Sequence, residues 1–106
     1  EDLLRESVSI WEENAGKDHL STAQPYFNLG TLLFARNKYK ESEEMLQRSR
    51  KILVKKFGRD NNNLATVYKA LSIVNEKLGK EQEAEEYAKQ FVKILRQESS
   101  KKEKNN

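Results

Sequence analysis

The sequence predicts an all-α protein, an α-solenoid of antiparallel helix hairpins with about two and a half repeats and five helices. Three observations carry this expectation. The chain repeats itself at an offset of 42 residues, and periods of about 20 to 50 residues mark stacked supersecondary units. Its 106 residues hold one proline and four glycines while 35% are charged, a balance that suits helices with solvated faces better than a turn-rich β-fold. Between turn residues that recur in register, the apolar residues fall at helical spacing. The length is that of one small domain.

The repeat runs along the whole overlap. Leu4/Leu46, Ser7/Ser49, Ile10/Ile52, Gly16/Gly58, Asp18/Asp60, Ala23/Ala65, Tyr26/Tyr68, Leu29/Leu71, Lys38/Lys80 and Leu53/Leu95 are among the identical pairs. The first predicted helix, residues 2–15, corresponds in this register to the second helix of an earlier unit whose own first helix is missing. The chain therefore reads as a fragment of a longer array or a terminal piece that docks onto something, with modest stability, because single repeats cannot bury their apolar faces alone. Trp11 aligns with Leu53 and Leu95 and is expected to pack in the core.

The second helix is expected over 22–36. Ser21-Thr22-Ala23-Gln24 has the form of a capping box, Pro25 would fall in the first turn, where its missing N–H is not needed, and Tyr26, Leu29 and Leu33 share one face. A tight turn at Asn37-Lys38 leads to the third helix, 39–57, stopped by Gly58 in a left-handed conformation. Asn63 caps a fourth helix, 64–78, Gly79 turns the chain, and the fifth helix covers 81–98. The basic tail, 99–106, has no apolar residue to bury and is expected to be disordered.

Function classes are narrowed by what the chain carries. There is no cysteine, hence no thiolate metal site or thiol nucleophile. The one histidine, His19, lies in a turn, and a structural role at a helix start is expected for it. No catalytic constellation or glycine-rich phosphate loop is recognisable, so neither enzymatic activity nor a cofactor is expected. Neither a membrane-spanning run nor an export signal is visible, which makes the cytoplasm the default compartment. The net charge of +3 falls short of a nucleic-acid-binding stripe. One basic line does stand out. Arg48, Lys51, Lys55 and Arg59 recur at helical spacing and offer an anionic partner a surface, although cations near a helix C-terminus also complement its dipole.

Asn28-Leu29-Gly30, then Asn37-Lys38-Tyr39 and Glu43-Glu44, resemble the tetratricopeptide repeat, with Leu71-Ser72, Leu78-Gly79-Lys80 and Ala84-Glu85 in the second unit. The 42-residue period and the linkers Gly16-Lys17-Asp18-His19 and Phe57-Gly58-Arg59-Asp60 resemble the extended kinesin-light-chain type. Departures are Leu20 and Asn62 in place of proline, Ser72 in place of glycine or alanine, Glu81 in place of the turn tyrosine, and Phe91 in place of a small residue. The resemblance covers residues 1 to about 98. It implies a right-handed superhelix whose first helices line a concave groove for a peptide or helix of a partner protein.

The groove positions so implied are Gln24, Phe27, Asn28, Thr31, Phe34 and Ala35, with Thr66, Lys69, Ala70, Ile73, Glu76 and Lys77. The mode that grips a terminal carboxylate with Lys and Asn side chains is not expected, since Phe27 and Thr31 hold two of those places. Read from the residues alone, the helix beginning near Thr22 is apolar on two sides, Tyr26/Leu29/Leu33 and Phe27/Phe34/Ala35, so Phe27 and Phe34 either pack or bind. The expectation is an interaction module acting as adaptor or scaffold. Self-association into a homo-oligomer is the alternative, and weak anionic-polymer binding a second one.

Overall fold

A computed structural model describes residues 1–104, with side chains to 101. It contains five α-helices in alternating direction: α1 (Asp2–Asn14), α2 (Leu20–Ala35), α3 (Tyr39–Phe57), α4 (Ala65–Lys77) and α5 (Glu81–Lys104), with a 3-10 turn, Asn62–Leu64, leading into α4. No strand occurs among the described residues. Each helix packs on the next, so the array is a solenoid of helix hairpins, α2 with α3 and α4 with α5, preceded by the single helix α1.

The 42-residue register survives in three dimensions. Shifted by 42, α2 becomes the stretch from Asn62 to Lys77, the 3-10 turn plus α4, and the first residue of α3 becomes the first of α5. Both hairpin turns close in the same way. Asn37 and Gly79 take positive φ, 65° and 77°, and the N–H three residues past each helix end reaches back, Lys38 to the Leu33 carbonyl and Lys80 to the Asn75 carbonyl, each at 2.9 Å. This is the Schellman arrangement, which satisfies carbonyls the helix end would leave open. The salt links also recur: Lys38 holds Glu1 and Lys80 holds Glu43, each at 2.9 Å. Hydrogen bonds from Lys38 and Arg5 hold the Glu1 carboxyl down at about 2.

The helix starts differ from the sequence expectation. α2 begins at Leu20 and is capped by His19, whose Nδ1 accepts the Ser21 N–H at 3.1 Å. Ser21 and Gln24 lie inside the helix and do not form a capping box. Pro25 consequently falls in the second turn. In the next unit the cap is Asn61, its Oδ1 accepting the Asn63 N–H at 2.9 Å, in place of Asn63 itself. His19 and Asn61 are 42 apart, so the repeated cap is a side chain that accepts from the backbone two residues on. Gly58 has the positive φ expected, 86°, but its ψ of 165° lies outside the left-handed helical well. Only glycine adopts that conformation readily.

Three further expectations are corrected. Trp11 is 42% exposed and Leu95 48%, because α1 has no helix in the place that α2 takes beside α3 and α5 has none in the place that α4 takes. The tail, expected to be disordered from Ser99, is helical through Lys104, with Ser99, Ser100 and Lys101 exposed, while 105 and 106 lie outside the described residues. The basic line is treated below.

The core is continuous along the array. Val8, Ala23, Tyr26, Leu29, Leu33 and Ile52 form its first part. Leu46, Val67, Leu71 and Val74 join the hairpins, and Leu64, Tyr68 and Ile94 complete it. Tyr26 is fully buried yet its hydroxyl donates to Glu12 Oε2 at 2.6 Å, which ties α2 to α1. Burial first, and then the carboxylate, push the Tyr26 phenol up to about 12.

Candidate functional site

Two first helices, α2 and α4, stand side by side, and a furrow runs between them with α3 as its floor. Its upper part is a small apolar cleft of about 160 Å³ lined by Thr31 and Phe34 of α2, Ala70 and Ile73 of α4, and Leu46 below. Its lower part, about 480 Å³, has Gln24 and Phe27 on one wall, Thr66 and Val67 on the other, and Leu53 and Phe57 at the base. The upper cleft suits one inserted apolar side chain. The lower one reaches the size of ligand-holding clefts.

Close packing made this furrow possible. Gly30 on α2 faces α3, and a Cβ there would stand 2.9 Å from Leu46 Cγ and 3.3 Å from the Ser42 carbonyl oxygen. The Ser42 hydroxyl donates to the Gly30 carbonyl at 2.6 Å, and Ser49 donates to the Ala23 carbonyl at 2.9 Å. These contacts hold α2 on α3 and turn the opposite flank, with Phe27 and Phe34, toward α4.

The two phenylalanines pack and also line the furrow. Each is half-buried on the cluster of Leu46, Val67, Leu71 and Val74, with Phe34 5.3 Å from the Tyr39 ring, and each presents its remaining surface as a furrow wall. Of the other groove positions, the structure brings Gln24, Thr31, Thr66, Ala70 and Ile73 to the same furrow. It does not bring Asn28, Ala35, Lys69, Glu76 and Lys77 into its lining. Asn28 Oδ1 accepts from Gln24 Nε2 at 2.8 Å on the outer side, and the Lys69 ammonium lies 6.0 Å above the Phe91 ring, at the α5 edge of α4. Sequence reasoning missed Leu20 and Phe57. Both line the lower cleft and are more than a third exposed; apolar residues flanking linkers were the only available signal.

The basic line divides. Arg48 faces α1, 3.7 Å from Glu12 Oε2 and 5.7 Å over the Tyr26 ring, and borders a hollow with Lys17 and Lys51. Arg59 lies past the end of α3, where the chain has turned at Gly58. Its carbonyl accepts the Tyr68 hydroxyl at 3.1 Å, and it borders a different hollow with Arg50 and Lys93. Arg48 and Lys51 therefore share one hollow while Arg59 borders another, because helical spacing ceased to apply after Phe57. Among the described residues, no group of three His, Asp or Glu could hold a metal ion, and no helix is long and apolar enough to cross a membrane.

Helix hairpins repeated in register, with first helices lining a furrow, define a helical-repeat interaction protein. The family model of the tetratricopeptide repeat matches residues 1–55 and again 38–97, and the chain belongs to that family. The two matches overlap on α3, which serves as the second helix of one unit and the floor beneath the next. Comparison with curated proteins finds none that matches.

Proposed function

We propose that the chain is an adaptor module that holds a segment of a partner protein in the furrow between α2 and α4. The observation that carries the reading is the apolar upper cleft, where Thr31, Phe34, Ala70 and Ile73 surround a gap floored by Leu46. Ile73 is 40% exposed there, an apolar side chain left open at the cleft wall. The recognised segment inserts one apolar side chain into this cleft and lays its flanks along Gln24, Phe27 and Thr66. Asn28, Lys69, Glu76 and Lys77 contribute at most to its outer edges.

The 42-residue spacing and the shared linker caps at His19 and Asn61 support an array of the extended kinesin-light-chain type. Absence of cysteine suits a cytoplasmic setting.

The test is affinity capture with mass-spectrometric readout, comparing the parent chain with Ile73→Asp and with Val92→Asp on α5, after matching their helicity by circular dichroism. Proteins retained by parent and Val92→Asp but lost with Ile73→Asp are furrow partners. Identical capture by all three rules the furrow out.

A further inference from the structure

We propose that the hollow between α3, α4 and α5, in front of Arg50, binds the side-chain carboxylate of an acidic segment of a partner protein. The internal repeat supplies the precedent. The hollow bordered by Lys17, Tyr26, Arg48 and Lys51 and the larger one, about 500 Å³, bordered by Arg59, Tyr68, Gln90 and Lys93 are the same place 42 residues apart. In the first, the chain brings its own carboxylate: Glu12 of α1 accepts the Tyr26 hydroxyl at 2.6 Å and lies 3.7 Å from Arg48. The counterpart of Glu12 is Val54, so the second hollow keeps the tyrosine and gains cations without the internal acid.

The cation of the second hollow has crossed to its other wall. Gln90 stands in the place of Arg48, and Arg50, in the place of Val8 on the preceding helix, is half-buried at the hollow. Arg50 Nε donates to Gln47 Oε1 at 2.7 Å, and Gln47 Nε2 donates to the Tyr87 hydroxyl at 2.8 Å, while the Tyr87 ring stacks on Tyr68 at 6.0 Å. These contacts orient the guanidinium through one nitrogen. Among the described residues neither Arg50 nor Arg59 forms an ion pair, and a fixed, partly desolvated guanidinium is suited to bidentate contact with a carboxylate. Both guanidinium charges act on the Tyr68 phenol, opposing its burial, which sets them beside one hydroxyl. Gln90 Oε1 is shielded and has no partner, so nothing anchors the carboxamide against turning its N–H groups to an anion.

The acids around the hollow limit what fits. Asp60 is held by Lys93 at 3.3 Å, and Glu85 by Lys89 at 3.3 Å. Glu83 and Glu86 border the hollow, two to three turns before Lys93 on α5, or about 10–15 Å, and Glu83 acts on Lys80. The hollow is thus basic at the linker and acidic at the start of α5, which favours a short acidic stretch over a long polyanion. Its openness does not depend on α5 lacking a later neighbour: the first hollow is open too, with Lys17, Arg48 and Lys51 exposed although the chain continues on both sides. It shares no lining residue with the furrow.

Backbone amide shifts in nitrogen–proton NMR spectra, with capped triglutamate as the probe, test this. Amides around Arg50, Arg59 and Gln90 should move saturably at low salt and less as salt rises. Arg50→Gln, with helicity matched by circular dichroism, should weaken binding about tenfold, and Ile73→Asp should leave it unchanged, which separates this site from the furrow. Glu12→Gln keeps an acceptor for Tyr26 and removes the charge, so it should open the first hollow and move the amides near Arg48 and Lys51 as well. Shifts that never saturate, an Arg50→Gln chain that binds like the parent, or a Glu12→Gln chain without the second set of shifts would each overturn the proposal. So would capped trilysine moving the same amides, or inorganic phosphate binding there more tightly than triglutamate.

Discussion

The two hairpins solve one packing problem with different side chains. In α2/α3, Gly30 lets the backbones approach over Leu46, and Ser42 on the second helix donates to the Gly30 carbonyl. In α4/α5 the equivalent places hold Ser72, Ala88 and Ala84, and the hydroxyl of Ser72 on the first helix donates to the Ala84 carbonyl at 2.9 Å. The small residue and the donor have changed sides. Close approach is preserved because Ala88 gives up the volume that Leu46 takes. Ser72, a departure from the repeat pattern as a single residue, is thus half of a compensated exchange.

A second difference is not compensated. Leu33 is fully buried in the first hairpin, and its counterpart, Asn75, is fully buried in the second. Asn75 Nδ2 donates to the Leu71 carbonyl at 2.7 Å, but its Oδ1 has no partner. An orphaned buried acceptor carries a desolvation cost. The first hairpin should therefore tolerate exchange badly and the second should gain from it.

Leu33→Asn should cause the largest effect, a loss of about 3 kcal/mol through lost apolar burial and an added unsatisfied amide, read as a lower urea midpoint. The reverse exchange, Asn75→Leu, should raise the midpoint by about 1–2 kcal/mol; a loss would mean that the amide is partnered in solution. Removing the exchanged hydroxyls should cost about 1 kcal/mol each, with Ser42→Ala, fully buried, above Ser72→Ala, half-buried. Equal or reversed losses would break the equivalence of the two hydrogen bonds.

The tyrosines give the smallest contrast, confined to alkaline pH. Tyr26, hydrogen-bonded to Glu12, is pushed up to about 12, and Tyr68, which bonds a carbonyl, is raised by burial. A folded phenol that holds its proton more tightly than the unfolded one stabilises fully below pH 10, and that contribution declines as pH rises toward 12. Tyr26→Phe should flatten the alkaline fall in thermal midpoint across that window.

Much of this was legible in the sequence. Hairpin turns at Asn37 and Gly79, the start of α3, and the buried set Tyr26, Leu29 and Leu46 follow from local chemistry and spacing. Helix starts were less legible, because His19 and Asn61 cap through side chains that compete with nearby Ser21 and Asn63, and only the backbone path decides among them. Of the groove positions read from the sequence, Phe27, Phe34 and Ile73 line the furrow. Lys69 and Asn28 lie outside its lining, because neighbours on one helix can face different elements.

The sequence by itself determined the repeat, its 42-residue register, the helices and the family, since each depends on periodicity or on residues close along the chain. Tertiary structure alone decided which flank of α2 became a furrow wall, that Trp11 and Leu95 stand open while Leu53 is covered, and that the basic line breaks at Gly58. The physical reason is that burial belongs to a residue and the element lying against it. Equivalent positions in a repeat can therefore meet different neighbours.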